Sequence, residues 1–153
     1  MACALLERDA RGWRSAASVR DTHGDRPYRE LPEIYADADA LVFPTLMDEW
    51  GLVVDEAMAM GLPVLGSIYS QAVEELVEDG VTGWTFDPID ETSVEAALDR
   101  ALALSPDALS CIGNAARRRI MPVIPAAASQ QILHAIRAVL DQRASARPSN
   151  AAS

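Results

Sequence analysis

FPTLMDEWGLVVDEAMAMGLPV, residues Phe43 to Val64, is the stretch that decides the fold. It begins inside an apolar run, Ala40-Leu-Val-Phe-Pro-Thr, stopped by a proline, which reads as a buried strand. A loop follows as far as Trp50. Gly51 to Met60 has a helical pattern closed by Gly61. Leu62-Pro-Val-Leu-Gly is a second short strand. The order strand, loop, helix, glycine stop, strand belongs to a parallel sheet with right-handed crossovers.

The flanks extend that pattern. Upstream, Leu31, Ile34, Tyr35 and Ala38 recur at helical spacing, with Pro32 in the first turn. Downstream, Ala72 to Val77 is a short helix ended by Asp79-Gly80, and Gly83-Trp-Thr-Phe is a third strand before an Asp87-Pro88 turn. Thr92-Ser-Val-Glu95 fits a capping box, and Val94, Ala97, Leu98, Ala101 and Leu102 form one apolar face behind it. Ser105 caps the next helix, with Pro106 at its first position. A last helix from about Ala126 to Arg143 is expected to bury Ile132, Leu133, Ile136, Val139 and Leu140. The expected fold class is α/β, a Rossmann-like parallel sheet with flanking helices.

Residues 1–26 are rich in Arg, Ala and Ser and match none of this texture; a short helix over Ala4–Trp13 is the expectation there, the rest being disordered. The Ala/Ser-rich tail, residues 144–153, is expected to be disordered. Three readable strands are too few for a sheet covered on both faces. Either part of the domain is missing on the N-terminal side, or residues 1–26 build it.

Composition narrows the function. The chain has 153 residues, one domain's length, with 50% hydrophobic and 24% charged residues, as in globular proteins. No apolar run reaches membrane-spanning length, and the N-terminus is not a signal peptide. Two cysteines, Cys3 and Cys111, make neither a disulfide framework nor a zinc cluster, so a cytoplasmic location is the default. The net charge of −10 argues against nucleic acid as a partner. All 13 basic residues are arginine, and none lies between Arg29 and Arg100. An anionic ligand in that middle stretch must be held by backbone N–H groups and helix dipoles, or by cations from elsewhere.

Ligands of open parallel sheets sit beyond the carboxyl ends of the strands, where loops meet helix N-termini. The N–H groups of Gly51, Leu52 and Val53 are an anion site of that kind. Gly51 lets a phosphate approach the backbone closely. Asp48 lies in the loop and Glu56 more than one turn into the helix; a carboxylate at either can accept hydrogen bonds from sugar hydroxyls.

These residues resemble a known family. Asp48-Glu-Trp-Gly-Leu-Val-Val-Asp-Glu-Ala-Met-Ala-Met-Gly-Leu-Pro-Val is similar to the E-x7-E signature of the GT-B glycosyltransferases of family 4, the "glycosyl transferases group 1" type. Leu31-Pro-Glu-Ile-Tyr-Ala-Asp-Ala-Asp-Ala-Leu-Val-Phe-Pro-Thr is similar to its lead-in, and Ala72-Val-Glu-Glu-Leu-Val-Glu-Asp-Gly-Val-Thr-Gly-Trp-Thr-Phe-Asp-Pro to its follow-on. The resemblance covers residues 27–143 and implies the C-terminal, nucleotide-sugar-binding domain. It implies a retaining hexosyltransferase that uses a nucleotide-diphosphate sugar and needs no metal. Glu56 takes the place of the acid that holds the donor ribose. Asp48 stands where the family has Glu against the donor sugar, about 1.5 Å shorter in reach, and Glu49 is a substitute if the loop shifts. The phosphate and sugar contacts map onto Gly51, Leu52 and Val53.

The family's Arg and Lys, which stabilise the leaving diphosphate, have no recognisable counterpart, nor has its N-terminal acceptor domain. The resemblance therefore implies a truncated chain. Two other readings stay open: a non-catalytic nucleotide-sugar-binding remnant or interaction domain, and one half of a split transferase that needs a separate acceptor domain or partner chain.

Other residues have plainer readings. Trp50 either stacks on a ligand or packs beneath the loop; Trp84 is core. Gly61 is a helix stop, and Gly80 and Gly83 are turn glycines. Glu75 sits on a solvated helix face. His23 has no role, His134 is structural or exposed, and Cys111 fills the core. Arg117-Arg118-Arg119 answers a helix C-terminal dipole.

Overall fold

In a computed structural model, residues 4–6, 8–9, 12–13, 27–123 and 125–145 are described, with side chains from 27 to 123 and from 128 to 140. The strands are β1 (Ala4–Leu6), β2 (Arg8–Asp9), β3 (Gly12–Trp13), β4 (Ala40–Phe43), β5 (Val64–Ser67) and β6 (Gly83–Phe86). The helices are α1 (Leu31–Ala36), preceded by a 3-10 turn at Tyr28–Glu30, then α2 (Leu52–Ala59), α3 (Gln71–Leu76), α4 (Glu91–Leu102), α5 (Pro106–Ile120) and α6 (Pro125–Ser145). Residues up to Ile120 form one unit, and those from Met121 a second that holds α6.

The three apolar runs read from the sequence are the parallel strands. Leu41 pairs with Val64 and Phe43 with Gly66 across β4 and β5, and Val64 pairs with Gly83 across β5 and β6. Alternation along each strand sends side chains to opposite faces. Ala40, Leu65, Trp84 and Phe86 meet Ala97 and Ala101 of α4 and Leu109 of α5 in one buried cluster. Leu41, Phe43 and Val64 point to the other face, where α2 packs on β4 and β5, and where Val54, Ala57 and Met58 are fully buried. Shielding one such large side chain contributes on the order of 1.5–3 kcal/mol.

Several expectations are corrected. The short helix over Ala4–Trp13 is absent: Ala4–Leu6 is a strand, and Arg8–Asp9 pairs antiparallel with Gly12–Trp13. β1 lies antiparallel on β4, with Leu5 opposite Leu41, so the sheet is parallel only over β4, β5 and β6. An antiparallel edge strand needs no helical crossover, so three apolar residues suffice to extend the edge. Ala144 and Ser145, read as tail, end α6; residues 146–153, like His23, lie outside the described residues.

The capping box at Thr92 is displaced. Asp90 is the cap of α4 and its Oδ1 accepts from the Thr92 N–H at 3.0 Å, while the Ser93 hydroxyl accepts from the Asp87 N–H at 3.0 Å. With the helix starting two residues earlier, the first orphan donors fall to Asp90 rather than to Thr92. Ser105 does cap α5, its Oγ accepting from the Ala108 N–H at 3.3 Å. Gly83 is no turn residue: it starts β6, and a Cβ there would run into the Val64 carbonyl. Cys111 is exposed rather than core, on the outer side of α5. Ile132, Leu133, Ile136, Val139 and Leu140 of α6 are not buried either; their exposures run from 47% at Val139 to 60% at Ile132.

Candidate functional site

The loops leaving the carboxyl ends of β4 and β5 are tied together. The Asp48 N–H donates to the Tyr69 carbonyl at 3.2 Å, and the Gln71 N–H donates to the Asp48 carbonyl at 3.3 Å. This places Asp48 beside Ser70 as a one-residue continuation of the parallel ladder. The Asp48 side chain turns back on its own loop, Oδ1 accepting from the Trp50 N–H at 3.0 Å. Its other oxygen carries the remaining acceptor capacity.

Gly51 then starts α2 from the left-handed region, at φ +67°. A Cβ there would stand 3.1 Å from the Phe43 ring and 3.3 Å from Asp48 Oδ1. A side chain is therefore disfavoured twice, by conformation and by space. The first amides of α2, at Leu52 and Val53, have no intrahelical carbonyl to reach. With Gly51 they form the positive end of the helix, next to the Asp48 loop. Trp50 is half-buried, and its Nε1 donates to Asp55 Oδ2 at 2.9 Å, which fastens the loop to the first turn of α2. Asp55 Oδ1 is buried without a partner. Burial pushes the Asp55 carboxyl above its ordinary value, and the indole bond partly opposes this.

Glu56 is the next residue, one turn in from the start of α2. Its Oε2 accepts from the Tyr35 hydroxyl at 2.9 Å. Together with Tyr28, Leu31, Pro32, Ala59 and Met60, these two line a mainly apolar hollow of about 180 Å³. A separate, larger cleft of about 670 Å³ opens at the tied loops, between Asp48 and Glu49 on one side and Tyr69, Ser70, Gln71 and α3 on the other. The two candidate acids thus line different hollows, Asp48 in the cleft ahead of α2 and Glu56 in the one beside the second half of that helix. Tyr69 stands at the cleft edge; its hydroxyl donates to Asp87 Oδ2 at 3.4 Å. Desolvation and the facing Asp87 carboxylate push the phenol above its ordinary value, so it stays a proton donor.

Asp48, Gly51, Leu52 and Val53 fall in the loop and first turn at this end of the sheet, while Glu56 lines the separate hollow against Tyr35. Three contributors escaped the sequence. Tyr35 was counted only for its apolar ring, although a buried tyrosine hydroxyl needs an acceptor. Asp55 differs from a solvated helix acid only through its bond to Trp50. Ser70, 1% exposed, has an Oγ without a hydrogen-bond partner, which no local pattern signals. Glu75 sits on an exposed face, and Arg119 donates to its carbonyl at 2.9 Å. Among the described residues no cluster of His, Cys, Asp and Glu is arranged to hold a metal.

A sheet that is parallel over β4, β5 and β6, flanked by helices, with loops and a helix N-terminus at its carboxyl end, defines a Rossmann-like α/β protein. The chain belongs to the glycosyl transferases group 1 family, whose profile matches residues 20–119. It is 29% identical over 108 residues to the putative colanic acid biosynthesis glycosyltransferase WcaL of Salmonella typhimurium, covering 67% of this chain and 26% of that protein. It is 38% identical over 90 residues to the sulfoquinovosyl transferase SQD2 of Arabidopsis thaliana, covering 58% of this chain and 18% of that one. The chain therefore spans about a quarter or less of these relatives. Among solved structures, the sucrose-phosphate synthase of Thermosynechococcus elongatus superposes with a TM-score of 0.66 at 25% identity, over 89% of this chain and 37% of that one. HepE of Anabaena, solved in complex with UDP, superposes with a TM-score of 0.58 at 24% identity, over 71% of this chain and 30% of that one. No helix among the described residues is long and apolar enough to cross a membrane.

Proposed function

We propose that this chain is the donor-binding half of a retaining glycosyltransferase, acting in the cytoplasm, that moves a hexosyl group from a nucleotide-diphosphate sugar to an acceptor held by a second domain or chain. Residues 27–143 form the nucleotide-sugar unit in this reading. The observation that carries it is the arrangement around the α2 N-terminus: Gly51 at φ +67°, and Asp48 and Glu56 each facing its own hollow. The Gly51, Leu52 and Val53 amides hold the diphosphate and sugar; no metal is needed for that contact. Glu56, oriented by Tyr35, accepts from the ribose hydroxyls. Asp48, pinned by the Trp50 N–H, orients the donor sugar.

One observation favours the split-enzyme reading over a self-sufficient catalyst. Among the described residues no cation lines either hollow. Charge developing on a departing diphosphate is offset mainly by prearranged positive groups, and one missing donor typically costs about 10²–10³ in rate. In this reading the second domain or chain supplies those groups.

Thermal melts with UDP, GDP and ADP sugars test donor binding. A ligand at 100 times its Kd should add about 2.7 kcal/mol, and Glu56→Ala should remove the shift. A melt that no nucleotide moves, in a chain that unfolds cooperatively, overturns the assignment. Activity that appears only on adding a separate acceptor domain supports the split enzyme; turnover by the chain alone refutes it.

A further inference from the structure

Helix α2 begins without a cap. A polar side chain ahead of the first turn usually takes up one or two of the orphan amides there. At α2 that position is Gly51, and no side-chain cap bond is made. Packing adds little at this end: Leu52, the first helical residue, is 67% exposed. Glycine moves readily between positive and negative φ. Gly51 alone therefore does not fix where the amides of Gly51, Leu52 and Val53 point.

Trp50 is tied on both sides of that glycine. Its main-chain N–H donates to Asp48 Oδ1 at 3.0 Å on the loop side, and its Nε1 donates to Asp55 Oδ2 at 2.9 Å on the helix side. The second bond closes a ring of chain, residues 50–55, with Gly51 inside it. Asp55 Oδ1 is buried and unpaired. A carboxylate so placed costs stability, so its bond to the indole serves position.

We propose that Trp50 and Asp55 are positioning residues: their indole–carboxylate bond stands in for the missing cap, holding Gly51 in the left-handed region and the first turn of α2 wound while its amides stay open to an anion. The inference rests on the donor-binding reading above and adds to it two residues that act through the α2 backbone. A capping side chain would occupy the amides, whereas a latch from Trp50 to Asp55 fastens the turn from its flank. Amides already set in place lose little freedom on capturing a diphosphate.

Calorimetric titration of the whole chain with free UDP, GDP and ADP comes first, and the nucleotide that binds is carried through the variants. Trp50→Phe keeps a ring and removes the donor; it should weaken that nucleotide about tenfold, as for one lost polar bond. Asp55→Asn and Asp55→Ala both remove the charge, and only Asn keeps an acceptor for the indole, so Asn should bind about tenfold tighter than Ala. Trp50→Phe combined with Asp55→Ala should match Asp55→Ala alone, since the same bond is lost in either. The Val54 amide, which bonds the Gly51 carbonyl at 2.9 Å, reports the first turn. Trp50→Phe should speed its hydrogen exchange about tenfold while the amides of β4 and β5 keep their rates. If no free nucleotide binds the wild-type chain, the donor reading falls and takes this inference with it. If one binds and Trp50→Phe holds it as tightly as wild type, the latch is refuted while the donor reading stands. Asn and Ala binding alike, or additive losses in the double variant, refute it too. So does Val54 exchange that stays unchanged, or that rises only together with β4 and β5. Should Trp50→Phe fail to fold, the Asn and Ala pair decides alone.

Discussion

At the residue scale the site depends on two short polar bonds, from Tyr35 to Glu56 and from Trp50 to Asp55. Tyr35→Phe keeps the ring in its hollow and removes only the hydroxyl. It should lower nucleotide affinity by about tenfold or less, in keeping with about 1.5–3 kcal/mol for a bond to a charged group less what water restores, with little change in the melt. Titration of the Phe variant beside Glu56→Ala checks this, and a larger loss from Phe than from Ala would contradict it. Asp55 gives a pH signature. Its carboxyl is raised in the folded chain, so the neutral form is favoured there. The stability this confers is fully present below the unfolded-state value and is lost as pH rises through the raised folded value. Asp55→Asn keeps an acceptor for the indole and removes the charge. Melts across pH should therefore find it more stable than wild type near neutrality, the gap closing under acid conditions.

At the scale of elements, close backbone approach explains what residue patterns leave unexplained. Gly113 lies in the middle of α5, where glycine weakens a helix. A Cβ there would run into the carbonyl oxygen of Gly61, so the glycine lets α5 settle on the turn between α2 and β5. Gly113→Ala should destabilise the chain despite its better helix propensity, by about 1–3 kcal/mol as for other overpacked sites; urea unfolding measures it. Asp90→Ala removes the α4 cap and should cost about 1 kcal/mol. The Arg100–Asp79 pair at 2.9 Å is half exposed at both ends and contributes little. The strands β4, β5 and β6 were legible because short, mainly apolar segments set off by glycine and proline have few other uses. The cap of α4 was misread because Asp90 and Thr92 offer equivalent acceptors and only backbone geometry chooses. Cys111 was misread because its type is usually buried, whereas its phase on α5 faces out.

Across the whole molecule, sequence and structure part at the two ends. β1 forms from Ala4–Leu6 because β4 offers a free edge, a long-range circumstance that three residues cannot announce. The apolar stripe on α6 was read as buried because periodicity reports amphipathicity and not its partner. The candidate site was legible for the opposite reason: Asp48, Gly51 and Glu56 are close in sequence, and one loop and one helix place all three. What stayed hidden, Ser70 and Tyr35, comes from elements that only the sheet brings near. The backbone stitch of Asp48 to Tyr69 and Gln71 has a consequence for how a ligand is received. Loops already joined by main-chain bonds have little ordering entropy left to lose on capture. In the empty protein, amide protons of Asp48 and Gln71 should exchange with deuterium at rates near those of the strands, and a nucleotide should slow them only slightly.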